Sequence, residues 1–252
     1  MRILLTNDDG IHAPGIKAMW RELKKLGEVI VVAPETVQSA TGHGITIAQP
    51  LLTSEVTGDD GYGGVAVDGR PADCVKVAVN QIVQGSVDLV VSGMNSGVNV
   101  GINVIYSGTV AAAIEAAFLG LPSIAVSLHL DHKIKTNYAR AAKWGRETIE
   151  KILAAGLSKG EVASINIPAL REDEAPLGVK VVRQCIQPWV DTYEERHDPR
   201  GRKYFWNSSI FSPGQTQEDT DVAAIRQKYI TVTPLQFDLT NYLMMKKWEK
   251  RF

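Results

Sequence analysis

Apolar residues in this 252-residue chain fall into short continuous runs separated by amphipathic stretches. Residues 2–6 (Arg2-Ile3-Leu4-Leu5-Thr6) and 28–33 (Glu28-Val29-Ile30-Val31-Val32-Ala33) are almost unbroken, as strands buried on both faces are. Between them, residues 15–26 set Ile16, Met19, Leu23 and Leu26 on one helical face, and Gly27 follows the end. Pro34 stops the second strand. Shorter strands are predicted over 45–48, 51–56 and 65–67, around a Gly/Asp-rich turn at 58–64. Pro71 opens a helix to about Val83, where proline suits the first helical position. A buried strand over 87–91 leads into a Gly- and Asn-rich loop over 92–106. An Ala-rich helix is predicted over 109–119, a strand over 123–127 and a long helix over 137–155 that ends at Gly156.

Strands alternating with helices predict an α/β fold, a parallel or mixed sheet with helices on both faces. The pattern holds to about Pro168. Residues 169–220 then carry turn residues, charges and aromatics (Trp189, Tyr193, Tyr204, Phe205, Trp206) without a clean period. A short helix over 221–227, a strand over 229–233 and a terminal helix over 241–251 complete the chain. We read residues 1–168 as a core and 169–252 as an extension packed on it, with an arm that reaches a partner subunit.

Composition narrows the functional classes. Lys and Arg number 27 against 28 Asp and Glu, so bulk charge offers nothing to a nucleic-acid polymer or a membrane surface. Cys74 and Cys185 are the only cysteines and form no C-x-x-C pair, which disfavours a thiolate metal site or a disulfide framework. That usage, with no targeting segment, fits a reducing cytoplasm. No apolar run reaches membrane-spanning length. A P-loop, a G-x-G-x-x-G after the first strand and a G-x-S-x-G elbow are all absent, against a P-loop ATPase, a dinucleotide-binding dehydrogenase and a serine hydrolase of that kind.

The chemistry is concentrated in loops. Asn7-Asp8-Asp9-Gly10 follows the first strand, Gln38-Ser39-Ala40-Thr41-Gly42-His43-Gly44 follows the second, and Ser92-Gly93-Met94-Asn95-Ser96-Gly97-Val98-Asn99 follows the strand over 87–91. Alone, Asp8-Asp9 reads equally as a solvated Asx turn closed by Gly10 or as a metal site. If the three strands are neighbours, the loops converge on the edge where open α/β sheets bind ligands. Two carboxylates, a hydroxyl and an amide carbonyl then make an all-oxygen set suited to Mg²⁺, Mn²⁺ or Ca²⁺. Downstream, Tyr106-Ser107-Gly108-Thr109-Val110 enters a helix. Ser107 or Thr109 serves there as an N-cap, or, beside a cation, the helix terminus holds a phosphate. His12 and His43 also lie in these loops, as candidate acids or bases or as backbone-bonded residues.

The chain resembles the SurE (survival protein E) family of metal-dependent nucleotidases. The likeness rests on an ordered set of segments: Ile3-Leu4-Leu5-Thr6-Asn7-Asp8-Asp9-Gly10-Ile11, Val32-Ala33-Pro34, Gln38-Ser39-Ala40-Thr41-Gly42-His43 and Pro71-Ala72-Asp73-Cys74-Val75. It continues through Val91-Ser92-Gly93-Met94-Asn95-Ser96-Gly97, Tyr106-Ser107-Gly108-Thr109-Val110-Ala111-Ala112-Ala113, Gly120-Leu121-Pro122-Ser123-Ile124-Ala125-Val126-Ser127, Ser164-Ile165-Asn166-Ile167-Pro168 and Thr220-Asp221-Val222-Ala223-Ala224. The resemblance implies a Rossmann-like three-layer α/β/α fold with a mostly parallel sheet and a C-terminal extension that builds a homodimer or homotetramer. It implies that Asp8, Asp9, Ser39 and Asn95 bind a divalent metal ion; with the oxygen set and the helix entry above, we expect one Mg or Mn per subunit and phosphate at Ser107, Gly108 and Thr109. Asp8 and Asp9 are then the catalytic pair, and the base stays open between Asp9 and water activated by the cation. The implied reaction is hydrolysis of nucleoside 5′- or 3′-monophosphates. Two other readings remain: a non-catalytic nucleotide or phosphate sensor, and a phosphatase for other small phosphoesters. Ile102-Asn103, where many relatives carry acidic residues, and Arg70, where many carry Thr, depart from the family pattern.

Overall fold

The computed structural model describes residues 1–58, 60–188, 191–207 and 216–252. Among these, the chain runs β1 (Arg2–Thr6), α1 (Pro14–Leu23), β2 (Glu28–Pro34), β3 (Thr53–Thr57), β4 (Gly63–Val67) and α2 (Pro71–Val77). Next come β5 (Leu89–Ser96), α3 (Asn103–Tyr106), α4 (Gly108–Phe118), β6 (Ser123–Leu128), α5 (Tyr138–Ala155) and β7 (Val162–Ile167). The remainder holds β8 (Val179–Val181), β9 (Tyr193–His197), β10 (Lys203–Asn207), α6 (Asp221–Arg226), β11 (Ile230–Leu235) and α7 (Tyr242–Glu249).

Nine strands form one mixed sheet in the order β3-β4-β2-β1-β5-β6-β7-β11-β8. From β4 to β7 every neighbouring pair is parallel; β3 and β11 join antiparallel. Both faces of β1 are buried, which explains its unbroken apolar run. Ile3 and Leu5 pack with Met19 and Leu23 of α1 and Ile149 of α5, while Leu4 packs with Val75 of α2 and Ala112 and Ala116 of α4. Helices on both faces make the three-layer α/β/α sandwich expected from the sequence.

The strand order positions the site. From β1 the chain moves outward to β2, β3 and β4, then crosses back so that β5 lies on the other side of β1. The crevice at the carboxyl ends of β1 and β5 is therefore the topological switch point, where sheets of this kind bind ligands. The loops after β1 and β5 open at this point, and the loop after β2 lies beside it.

Three sequence expectations differ from the structure. Residues 45–48 form no strand: Ile47 is exposed, and the Thr46 N–H and hydroxyl bond the Asp73 carboxylate (2.9 and 2.7 Å) instead of a ladder. The strand over 87–91 starts later and runs on to Ser96, and its polar end, predicted as loop, pairs with β6. Its register shifts between Gly93 and Asn95, and a Cβ on Gly93 (φ +138°) would stand 2.2 Å from the Val126 carbonyl oxygen. The helix from Pro71 gives way after Val77 to a π-helical turn over Ala78–Ile82. In the extension, β8, β9 and β10 arise where no period was legible; Trp189 lies outside the described residues.

α1 is seated directly on β5. A Cβ on Gly15 would stand 2.1 Å from the Met94 carbonyl oxygen, one residue before Asn95. Gly15→Ala is therefore expected to lower stability by about 1–3 kcal/mol through forced separation of α1 and β5. A thermal melt should show a Tm several degrees below wild type; an unchanged Tm would show that the helix can retreat without loss.

Candidate active site

The first loop is both a turn and a charge cluster. Asn7 Nδ2 donates to the Gly10 carbonyl (2.9 Å), closing the tight turn expected from the sequence. The turn sends its two carboxylates to different partners. Asp8 accepts a hydrogen bond from the Thr109 hydroxyl (2.5 Å), and Asp9 accepts one from the Ser96 N–H (2.8 Å). Separation of this kind is how a fold accommodates adjacent like charges.

Asp8 is 5 % exposed. Burial pushes its carboxyl up to about 6; the Thr109 hydroxyl opposes that shift, and the negative charge of Asp9 adds to it. Beneath it, Thr6 and Ser92 are register partners on β1 and β5, and their buried hydroxyl oxygens find no hydrogen-bond partner. The Asn7 amide oxygen is buried and unpartnered too. Each such group carries about 1–3 kcal/mol of uncompensated desolvation. Carboxylate, hydroxyl and amide oxygens gathered in one crevice are the donors that a hard cation takes.

The other loops dock on this crevice. The Gln38 N–H donates to the Asp8 carbonyl (2.7 Å), which places exposed Ser39 one residue from Asp8's own peptide. Asn95 donates from Nδ2 to the Gly97 carbonyl (2.8 Å), and its Oδ1 accepts no hydrogen bond among the described residues. Asp9 bonds the residue next to Asn95. Asp8 and Asp9 from the turn after β1, Ser39 from the loop after β2 and Asn95 from the end of β5 are thus gathered at one crevice. Among the described residues, no three His, Cys, Asp or Glu residues group together, so the carboxylate pair needs the hydroxyl and amide oxygens to complete a donor set.

α4 enters the crevice end-on. Ser107 is its N-cap, with Oγ accepting from the Val110 N–H (3.1 Å), and Thr109 is fully buried against Asp8. Gly108 permits this approach: a Cβ there would stand 2.9 Å from Asp8 Cβ and 3.1 Å from the ring of Pro71. The positive end of the helix dipole therefore lies one residue from the buried carboxylate.

Other residues at the site were not singled out from the sequence. Glu115 on α4 is buried, and its two oxygens bond His43 Nε2 (2.8 Å) and Lys76 Nζ (3.1 Å). The signal was there: a lone carboxylate within Gly108–Phe118, an otherwise apolar helix, demands a cationic partner. His43, one of the candidate acids, is held by this pair and stacks on Phe118. His12 is exposed on a turn.

Residues 3–191 match the model of the family described as Survival protein SurE. The chain belongs to the SurE family. The relatives agree over nearly full length. A protein named 5′-nucleotidase SurE from Syntrophomonas wolfei is 42% identical over all of this chain and 95% of its own length. One of the same name from Carboxydothermus hydrogenoformans is 45% identical, covering 99% of this chain and 97% of its own. The crystal structure of SurE from Aquifex aeolicus superposes with a TM-score of 0.85 at 38% identity, covering 100% of this chain and 99% of that one.

In this SurE chain the buried Asp8 makes a signed prediction. Its folded carboxyl titrates near 6, above the unfolded value of 3.8. The folded state therefore binds the extra proton, and the metal-free fold carries a penalty above about pH 6 that disappears as pH falls towards 4. The penalty is on the order of 3 kcal/mol. Asp8→Asn removes the charge and keeps an acceptor for Thr109. With chelator present, this variant should be more stable than wild type at pH 7.5, and the gain should shrink at pH 4.5. A gain independent of pH would show that Asp8 carries no buried charge.

Proposed function

We propose that this chain is a metal-dependent nucleotidase that hydrolyses nucleoside 5′-monophosphates, and 3′-monophosphates, to nucleoside and phosphate. One observation carries the reading: a buried carboxylate held against a helix N-terminus at the switch point, in a chain matched along its length by relatives named 5′-nucleotidase. Asp8, Asp9, Ser39 and Asn95 would hold one divalent cation per subunit, Mg²⁺ or Mn²⁺ by the hardness of their oxygens. When bound, that cation supplies Lewis-acid polarisation of the phosphoryl group and neutralises its charge.

The remaining chemistry belongs to the chain's own residues. Gly108 clears space for a phosphate at the mouth of α4, and the helix dipole with Ser107 and Thr109 stabilises its oxygens. Thr109 fixes the Asp8 rotamer, and burial keeps bulk water from that carboxylate. Water adds to phosphorus and gives up one proton, the P–O ester bond breaks, and that proton is passed on to the leaving nucleoside oxygen while the hydroxyl of water stays on phosphorus. Asp9, oriented by the Ser96 N–H, is placed to take the proton that the water gives up.

Phosphate release should be measured with 5′- and 3′-nucleotides and simple phosphoesters, with Mg²⁺ or Mn²⁺ and with EDTA. Chelator-sensitive release from nucleotides is expected, and Asp8→Asn should lower it by about 100-fold or more. Wild-type rates in that variant would refute the reading. No release from any substrate would favour a sensor, and release from non-nucleotides alone a different phosphatase.

We also place the protein in the cytoplasm as a homodimer or homotetramer. Its cysteines are buried and unpaired, and no helix among the described residues is long and apolar enough to cross a membrane. α7 buries none of its residues; Leu243 and Trp248 on it, with Leu239 before it and Phe252 after it, are at least half exposed. The β9–β10 hairpin likewise exposes Tyr193, Phe205 and Trp206. Apolar arms of this kind call for a subunit partner. Removing residues 241–252 should reduce the native mass seen by light scattering; an unchanged mass would free α7 of that role.

A further inference from the structure

We infer that the cleft along α4, beyond Ser107, is the subsite for the nucleobase and sugar of the substrate. The inference deepens the nucleotidase reading and rests on it for its choice of ligand. The cleft has a volume of about 300 Å³, at the lower end of small-molecule pockets. Ser107, Ala111, Ile114 and Phe118 line it at intervals of four, three and four residues, so one face of α4 forms its floor. That floor begins at the N-cap, one residue from the close approach of Gly108 to Asp8. A ligand with its phosphate at the helix mouth therefore has its remainder directed along this face.

The walls suit a flat, mostly apolar group. Ile105 and Phe237 also line the cleft, and both are exposed. Few polar groups join them, as in sites that orient a ligand by a small number of contacts. Gln184 is held by its Nε2 bond to the Gly101 carbonyl (2.8 Å). His43 is fixed between Glu115 and Phe118. The wall is thereby preformed: Lys76 and His43 clamp Glu115, and Phe118 packs edge-on against Phe237 (4.6 Å between centroids).

Length decides how the ligand sits. Ser107 and Phe118 are about 16 Å apart along the helix, longer than a nucleoside monophosphate. The base therefore lies over Ala111 and against Ile105 and the His43 edge, while the Phe118–Phe237 pair closes the far end.

The test pairs kinetics with binding in the full chain. Ile105→Ala and Phe237→Ala alter exposed side chains that make no contact with Asp8. Each should reduce, by about tenfold, the preference in kcat/KM for a nucleoside 5′-monophosphate over ribose 5-phosphate, which lacks the base. Calorimetric titration with free adenosine, guanosine, cytidine and uridine, in EDTA, should show binding that both variants weaken. Equal losses on both phosphoesters, no wild-type preference for the nucleotide, or nucleoside binding indifferent to both substitutions overturns the subsite. A change in native mass in place of any change in nucleoside binding also overturns it, and assigns the cleft to a subunit contact. If no phosphoester is cleaved but nucleoside binding is present and weakened in the variants, the hydrolytic reading fails and the subsite is supported.

Discussion

A single carboxylate taken out of water sets the terms for the rest of this structure. Asp8 lies just past the end of the central strand, whose apolar residues pack on both faces, and is itself 5 % exposed, so little of its carboxylate reaches water. Its charge is tolerable only with groups that favour it nearby, and the fold brings two: the Thr109 hydroxyl and the positive end of α4. Bringing the helix that close requires a residue without a side chain, and Gly108 meets that requirement. Even so, burial wins, and the carboxyl stays well above its ordinary range. A site left in that state has a strong reason to take a cation.

The core was largely legible in the sequence because its strands are buried on both faces. Continuous apolar runs at β1 and β2 and the helical period of α1 report burial directly. The failures came where a side chain, instead of the backbone pattern, set the local structure. Residues 45–48 have a strand-like composition, but Asp73 captures the Thr46 N–H and hydroxyl that a ladder would use. The polar end of β5 reads as loop, yet it pairs with β6 through a register shift that admits glycine alone at position 93.

Placement of the candidate site residues was legible for a similar reason. Loops at the carboxyl ends of neighbouring parallel strands must converge, so Asp8-Asp9, the Ser39 loop and Asn95 could be grouped once β1, β2 and β5 were taken as neighbours. Glu115 was harder, since its partners His43 and Lys76 are 72 and 39 residues away. The extension was hardest. Its hairpin and terminal helix expose their aromatic and aliphatic residues, so no inward face imposes a period.

The central claim is that oxygens of Asp8, Asp9, Ser39 and Asn95 converge on one cation. Anomalous scattering from crystals grown with Mn²⁺ tests it most directly. The account predicts one strong peak per chain, within about 2.5 Å of oxygens from those residues at the mouth of α4. A peak at other residues, or none at a Mn²⁺ concentration that supports turnover, would contradict it.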